Sequence, residues 1–141
     1  MMTCDRVGGE TPVVLIADRE PAMRTLLDKM IRMLGIVPEQ AASAASCADR
    51  VQQCGAPLCA LVYDAGLRDL PPEQVLDLFT RHHPHVPILL MSASLNEQIQ
   101  RLLCRYNCAL LQKPFMLEEL NHTLQGAGVA AGPATQGPAR G

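Results

Sequence analysis

Four polar residues, Asp18, Asp64, Ser92 and Lys113, each stand directly after a short apolar run of this 141-residue chain: VVLIA, LCALVY, PILLM and CALLQ. A carboxylate can attack phosphorus and become an acyl phosphate. The incoming phosphoryl group brings negative oxygens into an already anionic pocket. The reaction therefore needs a second carboxylate to help hold a divalent cation, an ammonium to offset charge, and a hydroxyl donor. Asp64 as acceptor, Asp18 as metal partner, Lys113 as cation and Ser92 as hydroxyl make up such a set. Oxygen ligands with an incomplete protein shell favour Mg2+, which keeps waters and shares the substrate phosphate. A single strand has to end on something polar, so one such residue carries little weight. Complementary groups at several strand ends are informative together.

The elements that must position these groups follow from apolar periodicity. Short apolar runs alternate with helical patterns, the signature of an α/β fold with a parallel sheet covered on both faces. Val13 to Ala17 is continuous and β-branched, as an inner strand should be. Pro21 then suits a first helical turn, and Met23, Leu26, Leu27, Met30, Ile31 and Leu34 recur at helical spacing until Gly35. Ile36 to Gln40 is a weaker strand that Pro38 marks as a sheet edge, and an alanine-rich helix runs from about Ser46 to Cys54. Leu58 to Tyr63 is a buried strand leading into Asp64. A helix over Glu73 to His82, a strand over Pro87 to Met91 and a helix carrying Leu95, Ile99, Leu102 and Leu103 come next. A strand over Cys108 to Gln112 and a helix holding Leu117, Leu120 and Leu124 complete the pattern. Residues 1–11 read as a flexible N-terminus, 12–126 as one folded domain, and 127–141, rich in glycine, alanine and proline, as a flexible tail or linker.

Composition removes several function classes. A formal charge of −2 with 3% aromatic residues offers neither a basic stripe nor a stacking platform for nucleic acid. No apolar run reaches the roughly 18 residues of a membrane span, which makes a cytoplasmic setting the default expectation. The six cysteines lack paired zinc spacing and read as small hydrophobes or lone thiols. His82, His83 and His85 read as a solvated connection, and Met23, Met30 and Met33 as packing residues. The chain does not read as an enzyme: no glycine-rich phosphate loop follows the first strand, and Ser92 sits in MSAS, not in a G-x-S-x-G turn.

ADREP after the first strand, VYD, MSA and KPF, in that order and at that spacing, resemble the receiver domain of bacterial two-component response regulators over about residues 12–126. The resemblance implies a flavodoxin-like, doubly wound, five-stranded parallel sheet of order 2-1-3-4-5. It also implies Asp64 as phosphoacceptor, with Mg2+ held by Asp18, Asp64 and Gly66. Ser92, Ala93, Lys113 and Pro114 would be the phosphoryl-binding and switch positions, with a cis bond before Pro114. The phosphoryl donor would be a histidine kinase or phosphotransfer protein. The output would be a downstream protein at the surface of the fourth helix, fifth strand and fifth helix, and a homodimer is left open.

Three features depart from the family. The acidic pair is Asp18-Arg19, with Glu20 a poorly placed substitute. The loop after the acceptor reads AGLRDLPPE, and the aromatic switch position is Leu110. A guanidinium at residue 19 is expected to weaken magnesium binding unless it turns to solvent or pairs with Glu20 or Asp69. The competing reading is a pseudo-receiver, a phosphorylation-independent scaffold for protein interaction.

Overall fold

The computed structural model describes residues 12–53 and 57–129. The expectations for residues 1–11 and 130–141, and for the end of the second helix at Cys54, lie outside them. The elements are β1 Val13–Ala17, α1 Pro21–Met33, β2 Val37–Ala41, α2 Ala44–Gln53, β3 Leu58–Asp64, α3 Pro72–His82, β4 Ile88–Ser92, α4 Glu97–Arg105, β5 Cys108–Gln112 and α5 Leu117–Gly126. The strands form one parallel sheet in the order β2-β1-β3-β4-β5, the flavodoxin-like arrangement expected from the sequence.

Side chains alternate across each inner strand and fill a core on either face. Leu15 and Ala17 of β1, Leu61 and Tyr63 of β3 and Leu90 of β4 meet Cys47 and Val51 of α2, Leu76 and Phe79 of α3, and Ile99 and Leu102 of α4. Val14 and Ile16, Ala60 and Val62, Leu89 and Met91 meet Leu27 and Ile31 of α1 and Leu120 and Leu124 of α5. β3 is buried along its whole length, which explains why its sequence is a continuous apolar run without alternation.

Several local expectations are corrected. Of the apolar positions assigned to α1, Leu27, Met30 and Ile31 are buried, but Leu26 and Met33 face solvent. The sheet covers only one stripe of the helix, and these two lie beyond its edge. α2 starts at Ala44, not near Ser46, for a reason given below. Past residue 126 the chain stays packed through Val129: its N–H donates to Leu124 O at 2.9 Å, its side chain is buried in the α1/α5 core, and Gly128 takes a φ of 100°. A left-handed glycine closing a helix end, followed by an apolar residue, is the usual way to anchor the last turn.

The Tyr63 hydroxyl is buried with no hydrogen-bond partner, and burial pushes its ionisation far above the ordinary phenol range. An unmet buried hydroxyl destabilises, while its removal leaves the ring packing intact. Tyr63→Phe is therefore expected to raise stability by about 1 kcal/mol, read as a higher urea midpoint at unchanged m-value. A lower midpoint would show that the hydroxyl finds a partner in solution.

Candidate functional site

Sheet register assembles the site. Ala17 pairs with Tyr63, Asp64 with Met91 and Ser92 with Gln112, so β1, β3, β4 and β5 end in step. Pairing runs on past the strands, with Ala65 N–H donating to Met91 O and Lys113 N–H to Ser92 O, both at 2.9 Å. Asp18, Asp64, Ser92 and Lys113 are thereby set along the carboxyl edge of the sheet. β1 and β3, adjacent in the sheet though separated by β2 in sequence, flank the crevice where open α/β sheets receive ligands.

Asp18 is fully buried and Asp64 is 7% exposed. Lys113 Nζ lies 3.0 Å from Asp18 Oδ2 and 3.6 Å from Asp64 Oδ1, one ammonium shared by two carboxylates. Asp18 Oδ1 accepts the Glu20 N–H at 2.9 Å, and the Arg24 guanidinium donates to the Asp18 carbonyl at 2.8 Å. Gly66 N–H donates to Asp64 Oδ1 at 2.9 Å, while Asp64 Oδ2 carries no hydrogen bond among the described residues. A Cβ at Gly66 would stand 3.2 Å from Asp64 Oδ1, so a side chain there would press on the carboxylate and require it to give by a few tenths of an ångström. The Asp64 carboxyl titrates above the ordinary aspartate range, chiefly because it is desolvated and further because Asp18 repels it. The Gly66 N–H and Lys113 oppose that shift. The Lys113–Pro114 bond is cis.

An open cavity of about 370 Å³ lies above Asp64, lined among others by Arg19, Glu20, Gly66, Arg68, Ser92 and Ala93. Ser92 reaches this cavity, but its hydroxyl donates to Ser94 O at 2.7 Å and accepts the Ser94 N–H, inside the β4–α4 connection and not toward Asp64. Arg19 is exposed, and neither Glu20 nor Asp69 is its hydrogen-bond or ion-pair partner. Leu110, where the resemblance led to the expectation of an aromatic, packs against the core on the α2–α4 side of β5. The HHPH cluster lies at the other end of the sheet: His83 is half-buried against Phe79, with ring centroids 5.1 Å apart, and burial lowers its pKa. Among the described residues, no three His, Cys, Asp or Glu side chains converge as a metal centre. The Asp18 and Asp64 carboxylates suit magnesium, which takes one or two carboxylates and retains waters, and the open Asp64 Oδ2 leaves a donor for it.

Two residues of this region have roles that the sequence reading did not assign: Arg68 was not singled out, and Asp69 was named only as a pairing partner for Arg19. Arg68 lines the cavity, and its position four residues after Asp64 was the available signal. Asp69 reaches across to α2, accepting the N–H groups of Ala44 at 3.0 Å and Ala45 at 2.9 Å. These bonds hold its pKa below the usual carboxylate value. Ser43 adds a local cap, its Oγ accepting the Ser46 N–H at 3.0 Å. A carboxylate at a helix N-terminus satisfies orphan donors and complements the helix dipole, and this one starts α2 at Ala44. Asp69→Ala is expected to cost about 0.5–1 kcal/mol, toward the low end of cap values because the carboxylate is exposed. The lowered pKa makes this contribution present above the ordinary aspartate value and lost as pH falls through the folded one. A difference between parent and variant midpoints that persists unchanged at pH 2 would contradict the charge-based account.

The fold and the strand-end constellation together define a class, the receiver-domain fold. Chemotaxis protein CheY4 of Vibrio cholerae superposes with a TM-score of 0.73 at 19% identity, over 82% of this chain and 98% of that chain. The receiver domain of sensor histidine kinase PA1611 from Pseudomonas aeruginosa PAO1, solved with a magnesium ion coordinated in its active site cleft, gives 0.70 at 22% identity over 81% and 94%. The receiver domain of hybrid histidine kinase CckA gives 0.68 at 15% identity over 82% and 97%. At these identities the likeness is one of fold. No family model matches the chain, and no curated protein matches its sequence. Among the described residues, no helix is long and apolar enough to cross a membrane.

Proposed function

We propose that the chain is a phosphorylation-controlled receiver that takes a phosphoryl group onto Asp64 from the phosphohistidine of a histidine kinase or phosphotransfer protein. The observation that carries this reading is the shared ammonium: Lys113 Nζ stands 3.0 Å from Asp18 and 3.6 Å from Asp64, beneath a cavity open to a donor. Asp64 Oδ2 attacks phosphorus, the phosphorus–nitrogen bond of the donor breaks, and the departing imidazole keeps the electron pair and takes a proton. Lys113 offsets the negative charge added to the pocket. Asp18, Asp64 and the Gly66 carbonyl would hold Mg2+, which supplies charge neutralisation of the transferring group when bound.

After transfer, Ser92 leaves Ser94 and donates to a phosphoryl oxygen, with the Ala93 segment moving alongside. The β4–α4 connection therefore changes shape, and the output is a downstream protein at the α4–β5–α5 face. With Leu110 in place of an aromatic, that change is carried by the loop itself. Incubation with acetyl phosphate and magnesium followed by intact-mass measurement tests the reading: gain of one phosphoryl group is expected. The competing pseudo-receiver reading draws on Arg19 at the cavity mouth, and a chain of unchanged mass under these conditions would favour it.

A further inference from the structure

The charge around Asp64 is unusual for a pocket whose anions must be offset by a divalent ion. The cavity is lined by the cations Arg19, Arg68 and Lys113 and by the anions Glu20 and Asp64, with Asp18 buried behind. Protein cations thus already match the carboxylates. Lys113 is committed to Asp18 and Asp64. Arg19 and Arg68 are exposed and form no hydrogen bond or ion pair among the described residues. They come from different connections, β1–α1 and β3–α3, and meet at one mouth. Of the acids beside them in sequence, Asp69, next to Arg68, is spent on the start of α2, and Glu20, next to Arg19, forms no ion pair with it among the described residues. A guanidinium presents a planar fork of N–H donors that matches a phosphoryl group with two parallel hydrogen bonds, and it stays charged at any working pH.

We propose that Arg19 and Arg68 form a phosphoryl-oxyanion site over Asp64 that binds without a divalent ion. The inference rests on the reading of Asp64 as the phosphoryl acceptor and adds to it the groups that capture the anion. The ligand class is a tetrahedral phosphoryl oxyanion, whether free phosphate or the group carried on Asp64. Arg19, which replaces a carboxylate in the family pattern, thereby has a positive role: it exchanges some metal affinity for anion affinity.

The test is titration of the whole chain with inorganic phosphate in EDTA, following backbone amide shifts of residues 64–68 and 92–94 by NMR. A saturable shift is expected. Arg68→Gln and Arg19→Gln should each weaken binding about tenfold, the loss of one charge-assisted hydrogen-bond set. Arg81→Gln, the same charge change at an exposed position of α3, should change it less than about twofold, since a distant exposed charge is screened. No saturable shift, a shift only when magnesium replaces EDTA, or equal losses in all three variants would overturn the proposal.

Intact mass separates the two sources of the ligand, since free phosphate leaves it unchanged. It also separates the two claims. Phosphoryl gain from acetyl phosphate without arginine-dependent phosphate binding retires this site and keeps the receiver reading. Arginine-dependent binding without phosphoryl gain retires the receiver reading, and with it the group carried on Asp64, and leaves a site for free phosphate alone.

Discussion

Asp64→Asn is expected to gain no mass from acetyl phosphate and magnesium under conditions in which the parent chain gains one phosphoryl group. An amide nitrogen is no nucleophile toward phosphorus at neutral pH. Of the other carboxylates at the site, Asp18 is fully buried and held by Lys113 and the Glu20 N–H, and Glu20, which lines the cavity, lacks the ammonium that Lys113 holds against Asp64. The same variant carries a second expectation that a merely inactive protein would not meet. Desolvation and Asp18 raise the Asp64 pKa in the folded chain, so the folded state prefers the neutral form. The stabilisation associated with a protonated Asp64 is complete below the ordinary aspartate value and is lost as pH rises through the folded one. A neutral isostere escapes that loss. Asp64→Asn should therefore melt higher than the parent at pH 7, by a few degrees for about 1 kcal/mol, with the gap closing in acid. Retention of the phosphoryl adduct would move the acceptor elsewhere, and a lower melting temperature at pH 7 would mean that Lys113 outweighs desolvation.

Lys113→Met should destabilise the chain by about 3 kcal/mol, because removing one partner of a buried pair strands the other charge. Here a single ammonium serves two carboxylates, one of them with no exposed surface. The thioether stem replaces the aliphatic stem of lysine, so packing is nearly preserved and the loss reports charge. Adding Asp18→Asn to the variant should restore a large part of the stability. Urea unfolding of the single and double variants checks both statements. A loss under about 1 kcal/mol for Lys113→Met, in the range of an exposed ion pair, would mean that water reaches Asp18 and that the pair is not a structural element.

Most of the sheet was legible because an inner parallel strand must be apolar on both faces, and runs such as LCALVY have no other comfortable place. The site followed from the same logic, since strand ends in register bring their next residues together. What could not be read depended on distance or rotamer. The start of α2 is set by Asp69, some 25 residues further along the chain, and no local cap rule sees that far. The Ser92 hydroxyl faces Ser94, a choice between staggered wells that residue type does not specify. Arg68 looked like an ordinary loop residue until the fold placed it on the same cavity as Arg19. Met33 has helical spacing from the core positions, but the limit of the sheet beneath α1, not the periodicity, decides what is covered.

The shared ammonium and its Asp18 partner are 95 positions apart in the chain, Asp18 near one end of the fold and Lys113 near the other. During synthesis β1 and β3 are made before β5, the strand that leads into the counter-cation. A chain at that stage has Asp18 and Asp64 but not the ammonium that serves them in the finished sheet. On the proposed reading, response to a phosphoryl donor would need the complete sheet, because β5 leads into the ammonium that serves both carboxylates.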